Sequence, residues 1–172
     1  MEFSEVLRRR RMVRNYDPDK PVSRKSLERI AAAAQRAPSA GFSQGQRLVI
    51  VTDPEQRRRI ADICHEPEYV AAGFDPWVSR APALLVPTVS EEIYHRRYQE
   101  PDKVNDDGTE IDWPIPYWYV DIGATMMLIL LAAIDEGLAA GFLGTHRLAD
   151  LRDALDIPPD QTPVGVITVG HP

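Results

Sequence analysis

Apolar residues recur at helical spacing in some stretches of this chain and in short unbroken runs in others. Leu27, Ile30, Ala31 and Ala34 follow i, i+3, i+4, i+7. That stripe predicts a helix from an N-cap at Ser23 to about Ala37, where Pro38 ends it. Phe3, Val6 and Leu7 place one apolar face on a short helix over residues 3–11. Apolar runs predict strands over residues 46–52, 83–89, 139–143 and 163–170, and Pro87 suggests that the second is an edge or carries a bulge. Asp53, Pro54 and Gln56 supply an N-cap, a first-turn proline and a capping-box glutamine for a helix to about His65. Ser90 caps a short helix through Gln99, and residues 146–155 form another. Residues 117–136 are apolar nearly all round the helical wheel, which predicts a buried helix ended by Gly137. Residues 101–116 are polar and rich in proline, a long loop of the kind that serves as a lid. Helices and strands mix without strict βαβ alternation, so the expected class is α+β with a mixed sheet.

A chain of 172 residues fits one domain with a real core, and 44% hydrophobic against 27% charged residues excludes disorder over most of its length. The single cysteine, Cys64, excludes a disulfide framework and any CxxC motif, which points to a reducing, cytoplasmic setting. The opening MEFSEVLRRRR has no apolar core of a secretory leader. The longest apolar stretch, residues 122–134, is shorter than the roughly 18 residues a membrane helix needs. The net charge of −6 hides an asymmetry: residues 1–60 hold 14 Lys and Arg against 7 Asp and Glu, and the remainder holds 6 against 19. Of the basic residues 17 are Arg and 3 are Lys. An arginine-rich first third on an acidic chain suggests one localised anion site rather than a nucleic-acid-binding surface.

The run from Arg8 to Arg14 is the strongest local candidate. Arg10 and Arg14 are four apart and on a helical turn would share a face, where two guanidinium groups can clamp a phosphate. A solvated charged face is the alternative. Residues 37–45 form a loop of small polar residues able to offer N–H groups and hydroxyls, or an ordinary turn. Gly137, Gly141 and Gly144 allow close backbone approach. His65, His95, His146 and His171 show no metal spacing, Ser39 has no partnered His and Asp, and Cys64 reads as a packed thiol. Tyr94, Tyr98, Trp113, Tyr117 and Trp118 cluster around the lid segment, where they stack on a planar molecule or anchor the long helix.

In this order the motifs resemble the nitroreductase family of FMN-dependent oxidoreductases. Residues 10–16 (RRMVRNY) match its Arg-Arg-Ser-x-Arg-x-aromatic opening, and residues 37–44 match its Ala-Pro-Ser-x-x-Asn-x-Gln loop. Asp121-Ile122-Gly123-Ala124 with Glu136-Gly137-Leu138 match its central helix, and residues 163–172 match its late strand. The resemblance implies a sandwich of helices about a mixed sheet, one domain over residues 1–172 with a lid segment at about 90–116, and an intimate homodimer with FMN at the interface. It implies that Arg10 and Arg14 hold the FMN phosphate, with Arg11 and the Met12 backbone beside them. Pro38, Ser39, Ala40, Gly41 and Gln44 would line the ribityl chain and ring, and Phe142, Leu143 and Gly144 the far side of the ring. Tyr94, Tyr98 and Trp113 would face the acceptor. NADH or NADPH would reduce the flavin, and a nitroaromatic, quinone or similar small acceptor would reoxidise it by ping-pong exchange. No protein nucleophile, metal, nucleic acid or membrane is implied. The chain departs from the pattern at Met12, Phe42 and Gly45-Gln46, and no Lys or Arg follows Arg152 where many relatives carry a basic tail. Those departures suggest a second reading, a flavin-sequestering protein with little turnover.

Overall fold

One five-stranded sheet organises the computed structural model, which describes Met1–Pro172. The strands are β1 (Gln46–Val51), β2 (Ala83–Val89), β3 (Ala139–Leu143), β4 (Thr162–Pro163) and β5 (Val166–Gly170). Their order is β1-β2-β5-β3, with β4 also paired to β2. All pairings between these strands are antiparallel, and the parallel component is confined to a bridge between Met12 and Ala140. Alternation along β2 sends Leu84 and Val86 to one face and Ala83 and Leu85 to the other. Both faces are covered, which is why the strand reads as an unbroken apolar run.

Helices α2 (Arg24–Ala34) and α6 (Tyr117–Asp135) cover one face, where Ile30, Ile129 and Ala133 are fully buried. Helices α3 (Pro54–Ile63) and α7 (Leu148–Ala154) cover the other with Ile60 and Leu151. The short helices α1 (Phe3–Arg9), α4 (Glu66–Ala71) and α5 (Glu91–Tyr98) sit at the margins. The expected caps form: Ser23 Oγ accepts from the Ser26 N–H at 3.0 Å and Asp53 Oδ1 from the Gln56 N–H at 2.8 Å.

Four elements differ from the sequence expectation. β2 is central rather than an edge. Pro87 is tolerated because β5 pairs only as far as Leu85 and β4 takes over at Thr88. The run over 163–170 is accordingly two strands, separated where Gly165 adopts φ 146°. The helix expected to reach His65 stops at Ile63, because His65 is left-handed (φ 62°), and α4 starts beyond it. α1 stops at Arg9, and Arg10 is extended.

α6 is long and apolar enough by composition to cross a membrane, yet Ile122, Ile129, Leu130 and Ala133 pack into the core. It is not buried all round. Tyr119, Val120 and Met127 are 48%, 54% and 45% exposed, and Gly123 lies open between them. α1 packs beside α6 and adds Phe3 and Leu7 to the same uncovered apolar surface. The N-terminal amine binds Asp135 at 2.7 Å, at the far end of α6 from Asp121.

Candidate functional site

The arginine run divides by its partners. Arg8 and Arg9 are both spent on Glu5, one turn back on α1. Arg10, Arg11 and Arg14 form no ion pair. The chain leaves α1 at Arg10 and runs beside β3, where the Val13 N–H donates to the Ala140 carbonyl at 3.0 Å. Arg10 and Arg14 therefore do not share a helical face; four extended residues separate them by roughly 13 Å. The approach to β3 requires Gly141, since a Cβ there would fall on the Val13 carbonyl oxygen and within 3.1 Å of Trp77. Tyr16 pins the end of the segment. Its buried hydroxyl donates to the Val13 carbonyl and shares a hydrogen bond with Thr168 Oγ1, both at 2.7 Å, and burial pushes its pKa up to about 12.

Arg14 opens onto a cleft of about 690 Å³ shared with Leu143, Cys64, Tyr69, Phe74 and Trp77. Tyr69 and Phe74 are stacked at 4.6 Å, and the Arg14 guanidinium lies over the Trp77 ring at 5.4 Å. The Trp77 backbone is held from below. Glu66, buried at the start of α4, accepts through Oε1 from the N–H groups of Trp77 (2.7 Å), Val78 (2.5 Å) and Ser79 (3.2 Å). Arg57 on α3 donates to the carbonyls of Ala81 (2.5 Å) and Ser79 (3.2 Å). Burial pushes the Cys64 thiol up to about 11, so it stays protonated and unreactive near neutrality. Tyr69, Phe74, Trp77 and Glu66 escaped the sequence reading. The Glu66-Pro67 pair at the start of α4 is the one local signal that would have found them.

The other expected half of the site is residues 37–45, with a 3₁₀ turn over Ala40–Phe42. Gly41, Phe42 and Gln44 have φ of 58°, 57° and 55°, three left-handed residues about a right-handed Ser43 that side chains must hold. Ser39 Oγ accepts from the Gln44 N–H at 2.9 Å, and Ser43 Oγ donates to the Ala40 carbonyl at 2.6 Å. Asp121 Oδ2, buried at the start of α6, accepts from the Ala40 N–H at 2.8 Å and the Tyr94 hydroxyl at 2.9 Å. Arg97 Nε donates to the Gly41 carbonyl at 3.0 Å, and the Pro38 carbonyl accepts from Gln46 Nε2. Phe42 points outward, 75% exposed.

Of the three aromatic residues expected to face an acceptor, Tyr94 is a correction. Its side chain is fully buried and its hydroxyl is committed to Asp121; burial first, and then that bond, raise its pKa, so it braces the loop and lines no opening. Tyr98 and Trp113 are half-buried and meet edge-on at 4.5 Å. The segment beyond α5 has no helix or strand up to Tyr117. It is tied down by Arg97 to Asp102 at 2.8 Å and by Glu110 to His95 at 2.6 Å.

The expected site residues thus form two groups. Arg10, Arg11, Met12 and Arg14 lie with Leu143 and Gly144 beyond the β3 edge of the sheet. Phe142 belongs to the same strand, but its ring packs on the opposite sheet face, where a Cβ on Gly165 would meet it at 2.5 Å. Pro38, Ser39, Ala40, Gly41 and Gln44 lead into β1, the other edge. Four strand spacings, roughly 19 Å, separate the two groups, so one copy of the chain does not bring them to one small-molecule site.

Comparison with known proteins gives a consistent result. The family profile described as Nitroreductase family matches residues 7–171. A protein of Archaeoglobus fulgidus that carries the name NADH dehydrogenase/NAD(P)H nitroreductase is 26% identical over 175 residues, covering 99% of this chain and 86% of that protein. The FMN reductase (NAD(P)H) of Bacillus subtilis is 25% identical over 187 residues, covering 99% of this chain and 66% of its own length. The solved structure of a nitroreductase family protein from Clostridium novyi superimposes with a TM-score of 0.79 at 21% identity, covering 100% of this chain and 86% of that one.

Proposed function

The chain belongs to the nitroreductase family, and on that premise we propose that it binds FMN and uses NADH or NADPH to reduce a small electron-poor acceptor, a nitroaromatic or quinone. The observation that carries this reading is the division of the arginine run: Arg10, Arg11 and Arg14 stand without carboxylate partners and Arg14 lines an open aromatic cleft, while Arg8 and Arg9 are neutralised. The residues present fit the cofactor. A guanidinium near Arg10 suits a phosphate, and a cleft of about 690 Å³ with aromatic walls and Arg14 at its mouth suits a planar ring with electronegative edges. The extended spacing of Arg10 and Arg14 supports giving them different parts of one elongated ligand. Bound flavin would supply hydride acceptance and donation. The chain's own residues bind, orient and shield. Arg10, Arg11 and the Met12 backbone hold the anionic end, Arg14 and Leu143 border the ring, and Gly144 leaves open space beside it.

The second group of residues supports a homodimer. Residues 38–44 stand about 19 Å from Arg14 within one copy. The uncovered surface of α6 and α1, with Val120, Met127, Phe3 and Leu7, is the apolar face a second copy would cover. In such a pair Ser39, Ala40, Gly41 and Gln44 of one copy close over the Arg14 cleft of the other, and Tyr98 and Trp113 come with them.

The test is spectroscopic. Protein titrated with FMN should show a perturbed flavin absorbance. Addition of NADH or NADPH without oxygen should bleach it, and 1,4-naphthoquinone should restore it. No spectral change on titration would refute FMN binding. Binding without bleaching by either nicotinamide would leave a flavin-sequestering protein instead.

A further inference from the structure

The lid segment after α5 has no backbone ladder to fix its shape, so side-chain anchors decide where its aromatic residue stands. One carboxylate gathers three of them. Glu110 Oε1 accepts from the Trp113 indole N–H at 2.6 Å and meets His95 Nδ1 at 2.6 Å, while Oε2 accepts from Gln99 Nε2 at 3.1 Å. Trp113 so held stands edge-on to Tyr98 at 4.5 Å. Tyr98 in turn lies so close to Gly41 that a Cβ there would meet its ring at 2.6 Å. An unbroken line of contact runs from Glu110 through Trp113 and Tyr98 to the loop assigned above to the flavin.

We propose that Glu110 is the positioning residue that holds Trp113 and Tyr98 as a wall for a planar, electron-poor acceptor, with His95 coupling that wall to pH. The inference rests on the flavin reading above. It extends that reading by naming what selects flat aromatic acceptors. An indole can turn about two side-chain bonds, and its one polar handle, the N–H, is the point at which an acceptor atom fixes it. The charged groups facing His95 are Glu110 from the lid and Glu91 from its own helix; Trp113 and Trp118 contribute rings at 5.9 and 5.4 Å. The hydrogen bond to Glu110 outweighs the opposing effect of burial and shifts the His95 pKa upward from its ordinary value of 6.5. Burial opposes ionisation of Glu110, but its Trp113 and His95 partners outweigh that and hold its pKa low. The His95–Glu110 contribution is therefore complete below the ordinary histidine value and fades as pH rises through the raised one.

Three variants separate the roles: Glu110→Ala removes both acceptor and charge, Glu110→Gln keeps an oxygen for the indole but removes the charge, and His95→Gln removes the titration. Two half-reactions are followed between about pH 6 and 9, flavin reduction by NADH or NADPH and reoxidation by 1,4-naphthoquinone. Flavin-free protein is also treated with trypsin, and cleavage after Lys103 is timed. Glu110→Ala should raise the KM for naphthoquinone about tenfold at unchanged rate of flavin reduction, and speed the Lys103 cut by a similar factor. Glu110→Gln should keep a near-normal KM, and with His95→Gln should abolish its rise with pH. An unaltered KM and cleavage rate in Glu110→Ala, or a parallel loss in both half-reactions, would overturn the proposal. If neither nicotinamide reduces the wild-type flavin, the functional reading fails and the acceptor wall falls with it; the Lys103 cut then reports separately whether Glu110 anchors the lid.

Discussion

The guanidinium of Arg14 lies over the indole of Trp77, 5.4 Å from its centroid, at the mouth of the cleft that also exposes Leu143. Spacing alone would couple Arg14 to Arg10 across one helical turn. The extended path beside β3 gives it an aromatic partner instead and leaves Arg10 to act separately. A guanidinium stacked in this way keeps its edge N–H groups available to a ligand while its face is held.

Arg14→Ala should weaken FMN binding by about 1.5–3 kcal/mol, the scale of a hydrogen bond to a charged group. Arg14→Lys should recover part of this, since an ammonium keeps the charge but loses the planar stack. Flavin fluorescence titration reads both, and equal affinities in all three proteins would place the ligand elsewhere.

Glu66→Ala deprives the N–H groups of Trp77, Val78 and Ser79 of their common acceptor. Stranding buried donors should cost about 3 kcal/mol in urea unfolding. Because the same carboxylate fixes the floor of the cleft, flavin affinity should fall as well. A normal unfolding midpoint would mean that water replaces the carboxylate.

Gly141→Ala sets a methyl group against the Val13 carbonyl oxygen, a backbone atom with no rotamer to yield. The arginine segment should lift from β3, lowering stability by about 2 kcal/mol. The hydrogen exchange of the Val13 amide, now bonded to Ala140, should accelerate with it.

Tyr16 gives the fold an alkaline limit. Burial raises its pKa from 10.0 to about 12, so the folded state retains a proton that the unfolded chain releases first. The stabilisation is complete below about pH 10 and is lost as pH climbs through about 12, about 3 kcal/mol in total. Cys64 and Tyr94 shift in the same direction, so the diagnostic comparison is with Tyr16→Phe, whose alkaline decline should be shallower.

Val120→Glu places a charge at the middle of the uncovered α6 face. If two copies meet there, sedimentation should show a monomer, and flavin should be lost with the dimer. Arg14→Ala, by contrast, should lose flavin and keep the dimer. A monodisperse monomer in the wild-type protein would refute the pairing.

Much of this architecture is written locally. Ser23 and Asp53 announce their helices by their own side chains, and the β2 run declares a strand buried on both faces. The order of the arginine run, the small polar loop and the long helix carries the family. What stayed hidden depends on distant partners. RRRRM has good helix propensity, and its unwinding at Arg10 is enforced by β3, about 130 residues later in the chain and accessible only because position 141 is glycine. The sequence expectation ends a helix at about His65 and assigns no element beyond it, so α4 and the aromatic wall it carries went unread; Glu66-Pro67 is their only local mark. Tyr94 looked like its half-buried neighbour Tyr98, and only the buried Asp121 distinguishes them. Glu110 is one acid among several in a polar loop until Trp113 and His95 meet it.

The separation of the two groups of residues onto opposite sheet edges has a genetic consequence. If each cofactor position draws its cleft from one copy and its covering loop from the other, a chain damaged at Arg14 and a chain damaged at Asp121 are defective in different halves. A mixed pair then carries one position with both faults and one with neither. Two inactive proteins, unfolded together and refolded, should regain about a quarter of the wild-type activity through random pairing. Intragenic complementation of this kind is unavailable to an enzyme whose site lies within one chain.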